Sequence, residues 1–299
     1  MKRILKNYIP FFVGLGIGLM LFATNGWPGF LLIFPWLGAS ITIGCLIAMN
    51  RKGKQKDIGR RIAVLLCAPV FLIFLGVMQK ENLQLEETVF YILLFVYTGY
   101  FMRVLIHYAV AKVFGPLIWG RGFCGWACWT AAVLEWLPIR ENRKLPPHPG
   151  WIRYAVFGLS LALPALFVWL GYDWVSMHIN SAGGTTWFSL GKTGALIWFL
   201  VGNGVYYAVA IRLAFRYRKK RAFCKMVCPV SLVMKAQTTV AFIQKKPTGH
   251  ECTSCGSCNR HCPMDVDVMS YISQNKKIRS SECILCGMCS NVCPQKAIL

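Results

Sequence analysis

Eight cysteines near the carboxyl terminus repeat one spacing, C-x2-C-x2-C-x3-C-P, twice. The two runs are Cys252, Cys255, Cys258, Cys262 and Pro263, followed by Cys283, Cys286, Cys289, Cys293 and Pro294. Cysteines at these spacings hold [4Fe–4S] cubes, and in two-cluster proteins the fourth cysteine of each run ligates the other cube. Structural zinc prefers paired C-x2-C units with a longer spacer, and disulfides require an oxidising compartment. The spacing therefore predicts two [4Fe–4S] clusters and one-electron chemistry.

The ligand sets are predicted to cross between the two runs. Cluster one takes Cys252, Cys255, Cys258 and Cys293, and cluster two takes Cys283, Cys286, Cys289 and Cys262. In each set three thiolates come from one tight turn, and the fourth comes from the distant Cys-Pro.

A shorter cysteine repeat occurs twice at an offset of 100 residues. Residues 121–129 read RGFCGWACW and residues 221–229 read RAFCKMVCP, so both fit R-x-F-C-x3-C. On a helix, cysteines four residues apart share one face, and two such faces would offer four soft ligands: Cys124, Cys128, Cys224 and Cys228. Three interpretations stay open for them: a third metal centre, thiols that form disulfides or receive electrons or copper, and inert buried cysteines. Cys45 and Cys67 lie in apolar runs without a partner motif and are interpreted as packing residues.

The composition is that of a membrane protein. Of 299 residues, 56% are hydrophobic and only 15% are charged, whereas soluble domains carry about 25% charged residues. Six apolar runs are long enough to cross a bilayer: about 9–24, 29–49, 62–78, 88–111, 151–171 and 194–215.

The net charge of +22 is unevenly distributed. Lysine and arginine concentrate before the first run, after the sixth, and in the links between runs two and three and runs four and five. The alternate links hold mainly acids, among them Glu81, Glu86 and Glu87. By the positive-inside rule both termini, and all twelve motif cysteines, are predicted to be cytoplasmic at the cell membrane. Because the basic residues flank the spans and no nucleic-acid-binding motif occurs, nucleic acid is excluded as a partner.

The sequence predicts an all-α membrane protein of six transmembrane helices with a carboxyl-terminal two-cluster α+β ferredoxin domain. The predicted segments are an extra transmembrane hairpin (1–60), a four-helix core with the first C-x3-C motif (61–215), a basic linker with the second motif (216–245) and the ferredoxin domain (246–299).

Over roughly residues 60–299 this layout resembles the NapH-type quinol dehydrogenase membrane subunits, and also the membrane core of NosR-type maturation proteins and CcoG-type oxidase-assembly proteins. Cys224, Cys228 and Pro229 match the second family motif in full, whereas Trp129 replaces the proline expected after Cys128. The extra hairpin departs from the usual four-span core, and no large extracytoplasmic amino-terminal domain is present, which argues against the NosR type.

The membrane part offers one ionisable pair for a quinone site. His107 and Arg103 lie one helical turn apart near the end of the fourth run, and ionisable residues within a membrane are functional candidates. The alternative is that both side chains reach towards the interface. The outer loop 171–192 is rich in aromatic residues and either caps a quinone pocket or forms an interfacial aromatic belt.

The predicted function is a membrane electron-transfer subunit between the quinone pool or a membrane partner and the two clusters. Its expected partners are membrane lipid, other subunits of a redox complex and a soluble electron carrier. Two alternatives are a copper reductase or assembly factor of the CcoG type and a redox-sensing membrane regulator. Whether the chain is itself an enzyme stays open at this point.

Overall fold

The computed structural model describes residues 2–147, 150–171 and 193–299, and the described residues are mostly helical. The chain begins with α1 (Lys2–Asn7), α2 (Ile9–Asn25) and α3 (Gly29–Met49). Gly26 turns the chain between α2 and α3 with a φ of 73°, and its N–H donates to the Phe22 carbonyl at 2.7 Å. Gly14 and Gly38 let the two backbones touch, which is the small-residue packing common between membrane helices.

The next long helix is continuous but changes its pitch. A 3₁₀ turn (Gly53–Lys56) leads into α4 (Asp57–Pro69), which continues as a π-helical segment (Val70–Met78). The wider turns begin directly after Pro69, a residue without the N–H that an α-helix requires. Gly44 of α3 and Gly59 of α4 meet backbone to backbone, so these helices also cross closely.

The structure interrupts the fourth predicted span. The helix α5 (Leu85–Thr98) ends at Gly99, whose φ is 70° and whose N–H donates to the Phe95 carbonyl at 2.9 Å. A separate stretch then comprises α6 (Val104–Tyr108), a π-helical segment (Ala109–Phe114) and α7 (Gly115–Trp119). The prediction of one helix over 88–111 is therefore wrong. An apolar run does not reveal a glycine that ends a helix in the left-handed conformation.

Short helices alternate with long ones in the second half. They are α8 (Gly122–Trp126), α9 (Trp129–Trp136), α10 (Trp151–Trp169), α11 (Thr193–Arg216), α12 (Ala222–Met226) and α13 (Val230–Thr238). Four of the described helical stretches are long and apolar enough to cross a membrane: Gly29–Met49, Gly53–Met78, Trp151–Trp169 and Leu196–Arg216. Ile9–Asn25 and Val104–Trp119 are apolar but shorter. The protein is thus helical and associated with a membrane, whereas six spans are not confirmed.

The carboxyl-terminal module contains three short helices, α14 (Ser257–Arg260), α15 (Val268–Ser273) and α16 (Met288–Val292). Lys246 and Leu299 exchange backbone hydrogen bonds of 3.5 and 2.9 Å beside an isolated antiparallel bridge between Pro247 and Ile298. Within the described ranges no longer strand pairing exists. The predicted α+β character of this module is therefore not confirmed.

Two hydrophobic cores meet at the two C-x3-C motifs. One fills the helical bundle around Phe30, Val64 and Ala131, and the other fills the carboxyl-terminal module around Met264 and Ile272. Cys124 and Cys228 pack against both cores. The repeat therefore lies where the membrane part contacts the module.

Candidate metal centres

Each half of the module encloses a cavity lined by four cysteines. One cavity is lined by Cys252, Cys255, Cys258 and Cys293, and the other by Cys262, Cys283, Cys286 and Cys289. The structure thus brings together the same crossed sets that the spacing predicts. Ligation itself stays a prediction.

The two cysteine loops have matching backbones. Positive φ values recur 31 residues apart, at Ser254 and Leu285 and at Gly256 and Gly287. These conformations turn the chain around each cavity. At the Cys-Pro ends, the Val266 N–H points at the Cys262 sulfur at 3.3 Å, and the Ala297 N–H makes the same contact with Cys293 at 3.4 Å. Backbone N–H groups aimed at sulfur stabilise thiolate ligands, so the loops fit a cube.

The thiols of the second ferredoxin run need a positive partner to ionise. In the parts of the chain that the structure describes, no group of three or more His, Cys, Asp or Glu side chains is placed to hold one metal ion. Burial raises the pKa of the Cys289 thiol to about 12 and also raises the pKa values of Cys283 and Cys286. Thiolates at these positions therefore need a positive partner, which iron would supply.

The two C-x3-C repeats have the same backbone conformation, which differs from the predicted single helix. Cys124 lies in α8 and Cys224 in α12, but each helix ends before the second cysteine. The Phe123 carbonyl accepts hydrogen bonds from Ala127 and Cys128 at 2.9 and 3.0 Å, and Phe223 does the same for Val227 and Cys228. The expectation that each pair lies on one helix face is therefore wrong. The second cysteine instead follows a tight helix end and precedes the next helix.

Trp129 preserves the turn that Pro229 makes in the second repeat. Trp129 is the first residue of α9, and Pro229 stands immediately before α13. The first positions of a helix do not need a backbone N–H donor, which is why proline is accepted there. The Trp129 indole instead donates to the Asn203 side chain at 3.0 Å. The substitution thus exchanges a backbone constraint for a side-chain contact.

The four thiols of the repeats lie near one another. Cys224 and Cys228 each lie within electrostatic range of Cys124 and Cys128, and the Cys124 sulfur is 3.8 Å from the Met234 sulfur. Burial, followed by the neighbouring thiols, raises the pKa of Cys228. We call Cys124, Cys128, Cys224 and Cys228 the four-thiol site. Four sulfurs are the number that an iron–sulfur cube requires.

Buried cations surround the four-thiol site. Arg221 donates to the Cys124 carbonyl at 2.9 Å, and Arg121 donates reciprocally to the Cys224 carbonyl at 3.4 Å. The Lys112 ammonium lies 3.5 Å from the centroid of the Phe123 ring and in electrostatic range of three of the thiols. Lys112 is only 3% exposed. Among the residues with assigned positions it has no carboxylate partner within 4 Å, so an anion held by the thiols would compensate its charge.

Several basic residues that the sequence assigns to membrane topology are buried in ion pairs. Arg221 and Arg60 both contact Glu135, at 2.6 and 3.0 Å. Lys219, in the predicted basic linker, is fully buried and contacts Asp265 at 2.6 Å. Buried guanidinium–carboxylate pairs hold tertiary structure together when the geometry is good. These charges therefore join the linker to the core and the module, a role that charge counting alone could not reveal.

The four-thiol site and the second cysteine run share a wall. The Trp126 indole donates to the Leu285 carbonyl at 3.0 Å, and Gly125 has no room for a Cβ because the Ile284 carbonyl lies against it. Arg121 contacts Glu282 at 2.6 Å. Residues adjacent to Cys124 thus touch residues adjacent to Cys283 and Cys286.

His107 and Arg103 occupy an aromatic enclosure rather than an open pocket. The His107 ring packs against Trp27, Phe30 and Phe34, with ring centroids 5.8, 5.2 and 6.0 Å away. Both imidazole nitrogens are buried without a hydrogen-bond partner among the described residues. The Arg103 guanidinium lies 4.5 Å from the Trp27 ring centroid. The extra hairpin, which carries the three rings, therefore covers His107.

A cluster of buried acidic residues near α5 was not predicted from the sequence. Glu86 accepts hydrogen bonds from Ser160 at 2.7 Å and from Tyr206 at 2.9 Å, and Glu81 and Glu87 are buried. From the charge distribution, these acids were expected in the outer link between the third and fourth apolar runs. Their position at the start of an apolar run was the available signal. Of the remaining predictions, Cys67 is buried as expected for packing and Cys45 is half-buried, whereas the outer loop lies outside the described residues from 172 onwards.

Two families match parts of the chain. The 4Fe-4S dicluster domain family matches residues 251–298, which contain both ferredoxin runs. The 4Fe-4S binding domain family matches residues 104–146 and 208–245, and each segment contains one C-x3-C pair. The predicted iron–sulfur character of the chain is therefore confirmed.

Three curated proteins are similar to this chain at low identity. An uncharacterized protein of Methanocaldococcus jannaschii, MJ0750, is 26% identical over 58% of this chain and 72% of its own length. A second uncharacterized protein of the same organism, MJ0749, is 23% identical over 66% of this chain and 79% of its own length. YccM of Escherichia coli K12, named as a candidate electron transport protein, is 21% identical over 53% of this chain and 46% of its own length. No solved structure matches. This membrane-associated chain thus contains 4Fe-4S binding domains, and the matches do not single out the NapH, NosR or CcoG type.

Proposed function

We propose that the chain is a membrane-anchored electron-transfer subunit of a larger redox complex. It would pass electrons between the quinone pool or a membrane partner and two [4Fe–4S] clusters on the cytoplasmic side. The name of the similar YccM protein agrees with electron transport, and the distribution of basic residues favours a cytoplasmic module. When bound, such clusters accept and release single electrons at potentials set by their surroundings.

The shared wall is the observation that carries this proposal. Gly125 follows Cys124 and lies directly against Ile284, which follows Cys283. The Trp126–Leu285 hydrogen bond and the Arg121–Glu282 ion pair fix the same surface. The chain therefore brings its membrane-side thiols next to one of its two ferredoxin cavities, an arrangement suited to moving electrons between the membrane part and the module.

A third [4Fe–4S] centre at the four-thiol site belongs to the proposal. Each half of the site lies in a segment similar to the 4Fe-4S binding domain family. The buried ammonium of Lys112 supports an anionic occupant, because an unpaired buried charge is costly. Cys124, Cys128, Cys224 and Cys228 would be the ligands, and Arg121 and Arg221 would hold the two loops in register through the Cys224 and Cys124 carbonyls.

Metal analysis tests the number of centres. We expect about twelve irons and twelve acid-labile sulfides per purified, anaerobically reconstituted chain, since each cube holds four of each. The double variant Cys124→Ser, Cys228→Ser should lose about four irons and keep the electron paramagnetic resonance signals of the two ferredoxin clusters. Cys45→Ser is the matched control and should lose none. About eight irons in the unaltered protein would rule out the third centre and leave the two-cluster proposal intact.

For the membrane-side reactant we propose a quinone near His107. The imidazole nitrogens, which have no hydrogen-bond partner among the described residues, and the neighbouring Arg103 guanidinium would bind a quinone oxygen after the covering rings move. His107→Ala should then abolish reduction of the clusters by a soluble quinol while leaving reduction by dithionite unchanged. Equal rates with quinol in variant and unaltered protein would reject this site.

A further inference from the structure

A polar cavity opens beside the second ferredoxin cavity, where the module contacts the membrane part. Its volume is about 440 Å³, within the range of about 300–1,000 Å³ usual for small-molecule sites. Its walls come from five parts of the chain: the start of α4, the end of α9 with the segment after it, the segment before α12, and one loop of each ferredoxin run. Cys286 and Pro263 form part of the wall, so an occupant would lie against a thiol assigned to cluster two.

The cavity has more positive than negative charge. Five cationic side chains, Arg60, Arg61, Arg140, Lys220 and Arg221, line it with three carboxylates, Asp57, Glu135 and Glu141, which gives a difference of two charges. The carboxylates are already engaged. Arg60 forms ion pairs with Asp57 and Glu135, and Arg221 also pairs with Glu135. Glu141 pairs with Arg143, which does not line the cavity.

Three cations remain available to an occupant. Neither Arg61, Arg140 nor Lys220 has a carboxylate within 4 Å in the described part of the chain. The Arg61 guanidinium lies 4.6 Å from the Trp136 ring centroid, and its Nε is buried without a hydrogen-bond partner there. The Lys220 ammonium donates at 2.7 Å to the Glu135 carbonyl, which is uncharged. Guanidinium and ammonium donors that line one cavity without a carboxylate to neutralise them suit the binding of phosphate.

We propose that this cavity binds a phosphate-bearing small molecule through Arg61, Arg140 and Lys220. Met288 and Ile139 give the same cavity an apolar wall, which suits an organic phosphate ester. The ligand is either a soluble phosphate ester or the headgroup of an anionic phospholipid, since Arg61 lies near the start of the Gly53–Met78 span. Its negative charge next to Cys286 would lower the reduction potential of cluster two. That last effect rests on the proposed function, whereas the binding does not.

The binding experiment uses the full-length protein in two arms. In the soluble arm, ADP and inorganic pyrophosphate are titrated into detergent-solubilised protein by calorimetry. In the lipid arm, nanodiscs of phosphatidylcholine are compared with nanodiscs containing phosphatidylglycerol, and retained lipid is measured by native mass spectrometry. We expect binding in one arm, and that arm identifies the source of the phosphate. Absence of binding in both arms overturns the proposal.

Variants locate the site. Arg61→Gln combined with Arg140→Gln should weaken the observed binding at least about tenfold, because each removes a charge-assisted hydrogen bond. Arg143→Gln, an exposed arginine on the same loop that is paired with Glu141, should leave binding unchanged. Equal affinity in the double variant would place the ligand elsewhere. A redox titration of cluster two with and without ligand reads out the second effect, and iron analysis of the same samples shows separately whether the clusters are present.

Discussion

The two C-x3-C repeats have the same backbone but different counter-charges. In each, an arginine precedes a short helix, a phenylalanine carbonyl accepts two N–H groups, and the second cysteine stands before the next helix. Arg121 pairs with Glu282 of the carboxyl-terminal module, whereas Arg221 pairs with Glu135 of α9. The arginine of the first repeat thus contacts the module, whereas the arginine of the second contacts the membrane part.

The residues between the cysteines also differ, although both contact the module. Gly125 of the first repeat lets the module approach its backbone, whereas the equivalent Lys225 reaches Asp265 of the module at 3.2 Å. Phe123 lies beneath the Lys112 ammonium, and Phe223 contacts the Tyr206 ring at 5.5 Å. A duplicated motif has therefore kept its thiols while its surroundings diverged, so equivalent substitutions should have unequal effects.

Glu135→Gln should have the largest effect. The carboxylate is buried between Arg60 and Arg221, and removing one partner of a buried ion pair costs about 3–5 kcal/mol. We expect a large loss in the temperature at which the purified protein unfolds. Glu141→Gln, which removes an exposed carboxylate, is the control. A similar loss of unfolding temperature in both variants would mean that the loss does not come from the buried ion pair between Glu135 and Arg221.

Gly125→Ala should have the second largest effect. A Cβ at this position meets the Ile284 carbonyl, and such overpacking costs about 1–3 kcal/mol and moves the backbone. We expect the cluster content to stay normal while electron exchange between the membrane part and the module slows in stopped-flow experiments. Gly204→Ala is the matched control, because nothing lies within 4 Å of that Cβ. Unchanged kinetics in Gly125→Ala would contradict the role of the shared wall.

Glu282→Gln should cost less than Glu135→Gln, because Glu282 is partly exposed. Burial alone would raise the pKa of Glu282, but Arg121 and Arg153 outweigh burial and lower it to about 2. Its stabilising contribution is therefore present above the ordinary pKa of 4.5 and is lost as the pH falls towards 2. The difference in unfolding free energy between variant and unaltered protein should shrink over this interval. A constant difference would exclude the ion pair as its cause.

Lys112→Met tests the cation that lies over the Phe123 ring of the first repeat. A nearby positive charge favours the reduced form of a cluster. Its removal should lower the midpoint potential of the proposed third centre by roughly 50 mV, since 59 mV is a tenfold change for a one-electron couple. A redox titration followed by electron paramagnetic resonance measures this, with exposed Lys54→Met as the control. A potential that does not move would separate Lys112 from the four-thiol site.

Pro229→Ala should have the smallest effect. Proline before a helix stabilises mainly by restricting the unfolded chain, so its loss should cost about 0.4–1 kcal/mol. The first repeat keeps the same turn with Trp129 at the equivalent position, so iron content should not change. Loss of iron from Pro229→Ala would show that the second repeat depends on proline in a way that the first does not.

Local spacing made the ferredoxin cavities predictable. The cysteines that line them come from two runs with fixed intervals, and the fourth cysteine of each run lines the cavity of the other. The predicted spans were less reliable. A uniform apolar run concealed the helix end at Gly99, and the expectation that each C-x3-C pair shares a helix face failed at Ala127 and Val227. Both errors arise where the backbone leaves the helix without a change in hydropathy.

The spacing and composition of the chain were enough to predict its iron–sulfur chemistry, its membrane association and the duplication of the arginine-cysteine motif. Which charges are buried depends on the packing of distant segments. Glu135 meets Arg221 across 86 residues and Glu282 meets Arg121 across 161, and nothing local marks such partners. The tertiary structure also placed Gly125 against Ile284, and within the described ranges it left three cations without carboxylates beside Cys286. Contacts of this kind depend on how distant segments pack.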